Sequence, residues 1–277
     1  MNSPISTHLT VADLVDDWLQ QLRVNGRLEG TTINEYERVL RTLVVPRLGG
    51  MPLHELTTDR INEVLADLGG QSANRQRKAK VVTGAMLDSA VVRGVLQANP
   101  VRGSLSISRP KAASRSLTLA EVDDVRAAVR AWLSKDRPGP RSSGDMGDII
   151  ELMLATGARI GEVLALRWRD VDLGARTVAI NATIKTESGN GTYRKSLARP
   201  RTVELLEFAL LVLDRRRHAL SGSNLIDAVF PTRNETWQQV NNVERRWRQI
   251  RREAGLEWIT PEAFRRTAPT QPVHRTP

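Results

Sequence analysis

The chain has 277 residues, no cysteine, and 41 Lys+Arg against 31 Asp+Glu, a formal net charge of +10. Without a thiol there is no disulfide, no Cys-liganded zinc and no thiolate nucleophile; no apolar run nears the roughly 18 residues of a membrane span, and the opening "MNSPISTHLTVADLVDDW" lacks the basic-then-apolar order of a secretory signal. What remains is the expectation of a soluble cytoplasmic protein, long enough for two cores, whose field draws polyanions and nucleic acid above all.

The first hundred residues carry a helical period. In "TVADLVDDWLQQL", Val11, Leu14, Val15, Trp18, Leu19 and Leu22 share one face, with Thr10 as N-cap and Asp13 as its acidic partner. "TTINEYERVLRTLVVPRLG" repeats the pattern through Ile33, Tyr36, Val39, Leu40 and Leu43, and Pro46 is expected to stop it. "TTDRINEVLADLGG" predicts a third helix, capped by Thr57 or Thr58 and ended by Gly69-Gly70. The fourth and longest, "SANRQRKAKVVTGAMLDSAVVRGVL", buries Ala79, Val82, Met86, Leu87, Ala90 and Val91. Its N-terminal half gathers Arg75, Arg77, Lys78 and Lys80, candidate DNA-binding residues.

The stretch that follows, ending at Ser116, has no period and is rich in Ser, Pro and basic residues, Lys111 and Arg115 among them. It reads as an exposed linker able to follow a phosphate backbone. The expected layout is a helical domain over 1–103, a linker over 104–116 and a second domain over 117–277. Charge divides unevenly: residues 1–108 are nearly neutral at +1, and the remainder carries +9.

Beyond Ser116, "LTLAEVDDVRAAVRAWL" is amphipathic and helical, and "DIIELMLATG" is an apolar helix broken at Gly157. "RTVAINATI" and the stretch around Arg201-Thr202-Val203 predict short strands flanking a polar hairpin, "KTESGNGTYRKSLARP". Helices resume at "VELLEFALLVLDRRRHAL" and "QVNNVERRWRQIRREAG". Three basic residues stand apart. Arg159 lies in the apolar "LMLATGARIGEVLALRWRDVDL", where a guanidinium needs an anion or a carboxylate, and Glu162 is one turn on. Lys195 belongs to the hairpin or its return strand, and Arg265 to the short helix opened by Thr260-Pro261. Each has a plainer reading: a structural Arg159–Glu162 pair, a solvated hairpin lysine, an exposed helix-start arginine.

Taken in order, these segments resemble the tyrosine recombinase family, the phage-integrase group that includes actinobacterial integrases. "TGARIGEVLALRW" is similar to the family's T-G-x-R-x-G-E box. "KSLARPRTVEL" resembles its K-T-x-x-x-x-R-T hairpin with Ser196 for Thr, and "TPEAFRRT" its T-P-H-x-[LF]-R-[HR]-T box. The resemblance implies a mainly α chain: a helical, SAM-like core-binding domain, then a mixed α+β catalytic domain with a small β-hairpin or sheet. It also implies phosphodiester exchange on double-stranded DNA through a phosphotyrosine link, with no cofactor and no metal, and association with other integrase protomers. Arg159 and Arg265 would hold the scissile phosphate, two planar and permanently charged forks facing a transition state rich in negative charge. Lys195 would protonate the departing 5′ oxygen, and Glu162 would orient the first arginine.

Two departures accompany the match. Glu262 stands where the family carries His, and a carboxylate there repels phosphate unless it faces away or is protonated. The family's second His or Trp and its nucleophilic tyrosine are expected downstream of the second arginine. Only twelve residues follow Arg265, including Pro269, Pro272 and His274 but no tyrosine; Tyr36 and Tyr193 are the only two in the chain. The sequence thus predicts a catalytic domain cut short after about Thr267, as a frameshift would leave it, able to bind DNA and not to cleave it. A non-enzymatic DNA-binding protein on the same scaffold and an unfolded remnant lacking partners for "VERRWRQIRREAGL" are the alternatives. A helix-turn-helix regulator is a weaker one, because no helix–turn spacing precedes that basic helix.

Overall fold

The computed structural model describes residues 9–107, 115–135, 144–187, 189, 191–219 and 224–268. It divides into two compact units, Met1–Pro110 and Lys111–Pro277.

The first unit is helical. α1 (Val11–Asn25) opens with a reciprocal cap: Asp13 N–H donates to the Thr10 hydroxyl at 3.3 Å, and Thr10 N–H donates to the Asp13 carboxylate at 2.9 Å. Pro46, the expected stop, does not break the next helix. α2 (Gly30–Val39) passes into a π-helical turn, Leu40–Val44, and then into α3 (Val45–Leu48), with Pro46 in its first turn. A widened turn tolerates the proline's missing N–H and the bulk of its ring.

α4 (Thr58–Gln71) is capped by Thr57 and runs straight through Gly69-Gly70 before ending at Ser72. Those glycines were expected to terminate it; instead Gly69 lies under the Gln76 side chain of α5 (Ala73–Val92), where a Cβ would stand 2.8 Å from Nε2. The core gathers Leu14, Leu19, Leu40, Leu68, Met86 and Leu87, all nearly inaccessible. Val91, expected in the stripe, is only half-buried, while Thr83 is buried.

The second unit wraps helices around a three-stranded antiparallel sheet of order β1-β2-β3. α6 (Leu119–Ser134) has its own capping box, Thr118 with Glu121, and α7 (Asp145–Thr156) ends on Gly157 in the left-handed conformation. The short α8 (Ile160–Leu164) follows at once. β1 (Val171–Asp172) pairs with β2 (Thr177–Glu187), and β2 with β3 (Gly191–Glu204). The polar segment expected as a hairpin between two short strands is itself strand, paired out to Glu187 and Gly191.

α9 begins at Glu207 rather than Val203, because Val203 and Glu204 complete β3. α10 (Val240–Glu253) buries Val243, Trp247 and Ile250. The Trp247 ring lies 5.1 Å from that of Phe264 in α11 (Pro261–Thr267), and its Nε1 donates to the Ile259 carbonyl at 2.9 Å. The segment suspected of lacking partners therefore has them among the described residues, and through them α11 is held in place.

Candidate active site

The sharp turn between α7 and α8 organises the site. Gly157 has φ +62°, a conformation glycine takes at little cost. That reversal turns its carbonyl toward α11, where Arg265 Nε donates to it at 3.1 Å. Arg159, two residues further on, is the N-cap residue of α8, with a largely exposed side chain. The chain thus delivers Arg159 and Arg265 to the same turn from segments more than a hundred residues apart.

Glu162 ties down the first of them. It is 2% exposed and accepts from Arg159 N–H at 3.0 Å, from Arg159 Nη1 at 3.1 Å and from Arg201 Nη2 at 2.7 Å. Burial pushes this carboxyl's pKa up; the hydrogen bonds from Arg201 and the Arg159 backbone, with the Arg201 charge, outweigh it and hold the group below the ordinary glutamate range. One carboxylate is shared by two guanidiniums, so Arg159 is oriented without the pair's being neutralised.

Lys195 arrives from the sheet. It sits in β3 directly opposite Thr183 of β2, and opposite residues of an antiparallel pair share a face. A Cβ built on Gly161 of α8 would lie 2.7 Å from Thr183 Oγ1 and 3.6 Å from the Ile184 carbonyl. Only glycine lets α8 come this close to the strand that carries Lys195's partner. Arg194, beside Lys195, fastens β3 inward: its Nε donates to the Ala165 carbonyl at 2.9 Å and its Nη2 to Asp170 at 3.0 Å and to Asn181.

Glu262 pairs with two arginines of its own helix. Its carboxylate accepts from Arg265 Nη1 at 3.0 Å and Arg266 Nε at 3.4 Å. Each tyrosine has a neighbour of its own. Tyr36 belongs to the first unit, stacked on Trp18 at 5.7 Å, and Tyr193 turns its hydroxyl to Glu187 at 2.6 Å. Counting Arg159, Lys195, Arg201, Arg265 and Arg266 against Glu162 and Glu262, the formal excess is three positive charges.

The other expected DNA contacts are spread out. Arg75 bonds Gln71 and Arg77 bonds Asn74, both on their own helical neighbourhood. Lys78 is paired with Glu35 at 2.5 Å, and Lys80 donates to the Ser104 and Leu105 carbonyls at 3.2 and 2.6 Å. Arg115 is bidentate to Glu121 and lies 4.0 Å above the Trp258 ring. Lys111 falls outside the described residues. Arg201 was not singled out as a site residue, although it fills the arginine position of the K-T-x-x-x-x-R-T hairpin motif; its partner Glu162 lies 39 positions away.

Residues 146–273 match the profile described as the Phage integrase family, and residues 10–68 match the Phage integrase N-terminal SAM-like domain. The chain is 26% identical over 253 residues to the tyrosine recombinase XerC of Alcanivorax borkumensis, covering 88% of this chain and 74% of that one. It is 27% identical over 251 residues to XerC of Xylella fastidiosa, covering 88% and 76%.

Among solved structures, the Tn1549 transposon integrase in complex with circular intermediate DNA superposes with a TM-score of 0.72 at 19% identity, over 92% of this chain and 84% of that one. A lambda integrase dimer bound to a COC' core site gives 0.68 at 18%, over 94% and 88%. At such identities the superpositions speak for the fold. With both integrase profiles matched in chain order, and the arginine turn and hairpin lysine in the second of them, the chain belongs to the tyrosine recombinase family.

Proposed function

We propose that this chain binds double-stranded DNA and holds a backbone phosphate between Arg159 and Arg265, with Lys195 beside it as the proton donor to a departing 5′ oxygen. The observation that carries this reading is the Arg265–Gly157 bond, which sets the second arginine against the turn that presents the first. Two forked guanidiniums and an ammonium suit the charge that a phosphoryl transition state accumulates. The DNA complexes of the Tn1549 and lambda integrases support the partner. The lambda integrase tetramer bound to a Holliday junction supports association with further protomers. Residues 1–103 would be the core-binding domain, 104–116 the linker and 117–277 the catalytic domain.

For strand cleavage the family chemistry needs a tyrosine at the phosphate. Tyr193 spends its hydroxyl on Glu187 and Tyr36 is stacked on Trp18, so we infer that this chain of 277 residues binds without cutting. The test is a nicked suicide duplex incubated with the protein and resolved under denaturing conditions. Retarded DNA on a native gel with no covalent adduct is the expected result. An adduct mapping to Tyr193 would overturn the inference about cleavage; absence of any retarded complex at low salt would overturn DNA binding.

A further inference from the structure

Two Arg–Glu pairs spaced three residues apart flank the Gly157 turn, and they differ in kind. Glu162 is buried, its carboxylate saturated by three donors, and it cannot leave. Glu262 is half exposed; its carboxylate accepts from Arg265 at 3.0 Å and Arg266 at 3.4 Å, both on its own short helix. Among the described residues nothing buried fixes it, and one rotation about its side chain moves the carboxylate into water.

Arg265 has its Nε committed to the Gly157 carbonyl and its Nη1 to Glu262. A phosphate approaching that guanidinium meets a carboxylate already lying on the fork, an anion of similar hydrogen-bonding geometry.

We propose that Glu262 is an internal competitor for phosphate: a positioning residue that occupies Arg265 in the empty site and must swing aside for a backbone phosphate to bind. This rests on the reading of Arg265 as a phosphate ligand. A displaceable carboxylate weakens every phosphate by the cost of breaking an exposed ion pair and by residual repulsion. It acts equally on any sequence, so it tunes affinity rather than specificity. Removing its charge is expected to tighten phosphate binding by about threefold to tenfold.

The experiment has two arms. In the first, inorganic phosphate is titrated while the Arg265 Nε–H resonance is followed in wild type, Glu262→Gln and Glu262→Ala, with circular dichroism verifying the fold. A several-fold lower dissociation constant in both variants is expected; equal constants, or an Arg265 resonance indifferent to phosphate in all three, would overturn the proposal.

In the second arm, affinity for a 30-base-pair duplex is measured for wild type, Glu262→Gln, Arg265→Ala and the double variant. If Glu262 acts through Arg265, the gain from Glu262→Gln disappears when Arg265 is absent. A gain of the same size in the Arg265→Ala background would mean general surface charge and would also sink the proposal. Should wild type fail to bind the duplex at all, DNA binding falls as the function, and the phosphate arm alone still decides the role of Glu262.

Discussion

At the scale of single residues, Glu162 is the most constrained group of the site. It is buried against Arg159 and Arg201, and the two cations depend on it unequally, because Arg159 is 65% exposed and Arg201 only 23%. Glu162→Ala leaves Arg201 in a half-dry position without its partner, whereas Arg159 can rehydrate. The expected loss is about 2–3 kcal/mol in the stability of the second unit, below the range for a fully buried pair, readable as a lower urea midpoint. Arg201→Met should have a companion effect: with one donor removed, the Glu162 carboxyl loses part of what holds it low, and its pKa should rise when followed by carboxyl NMR. The Arg159–Glu162 spacing could be read directly from the sequence, since an arginine in an apolar stretch demands a partner within a turn. Arg201 could not, because strand sequence carries no signal for a partner on another element.

Elements succeed or fail as sequence readings according to whether their signals are local. The capping pair Thr10–Asp13 was legible as short-range chemistry, and the fold adds a second box of the same form at Thr118–Glu121; replacing Thr118 by Ala should cost about 1 kcal/mol by thermal denaturation. Breakers misled where tertiary packing overrode them. Pro46 is absorbed by a π-helical turn, and Gly69-Gly70 continues a helix with Gln76 resting on it. The hairpin looked like a loop because its polar run, Thr192, Arg194, Ser196, lacks the apolar half that marks a strand, yet beyond one register shift it pairs with β2 out to Glu187 and Gly191. Gly161 is where an element contact can be tested most simply. An Ala there would place Cβ 2.7 Å from Thr183 Oγ1, so Gly161→Ala should destabilise by about 1–3 kcal/mol through overpacking despite alanine's better helix propensity. It should also displace the amide resonances of Thr183 and Lys195; an unshifted spectrum would contradict the close approach.

For the whole molecule, the relevant quantities are charge and its titration. A net charge of +10 with phosphate contacts dominating should make DNA affinity fall by about tenfold or more between 50 and 200 mM salt, and a salt-insensitive affinity would argue against backbone binding. Acid should act on both units through carboxylates tied to arginine. Glu35 is lowered from 4.5 to about 2, first by its hydrogen bond from Arg38 and further by Lys78; Glu121 is lowered to about 2, first by Arg115. A carboxyl whose folded pKa is depressed stabilises the fold fully above its ordinary value, and that contribution is lost as pH falls through the folded value. The urea midpoint should therefore be steady above pH 5 and decline between about 4.5 and 2, with Glu35→Gln flattening the part that belongs to the first unit. Net charge and helical content were plain from composition and periodicity, but which cations are spoken for was not. Lys78 and Arg115 are in the sequence simply basic, and in the fold they are structural partners of Glu35 and Glu121.

The irregularity in the β2–β3 ladder separates two jobs within one hairpin. Ile180 pairs with Arg201, but Ala182 pairs with Ser196, so β3 spends residues 197–200 where β2 spends only Asn181. Below that step the strand is anchored by Arg201 to Glu162; above it lies the arm that bears Lys195. The extra residues uncouple the register of the arm from that of its anchor. The hairpin lysine is in that sense set apart from the anchor of the arginine turn: its arm is fastened separately, by Arg194 to Ala165 and Asp170.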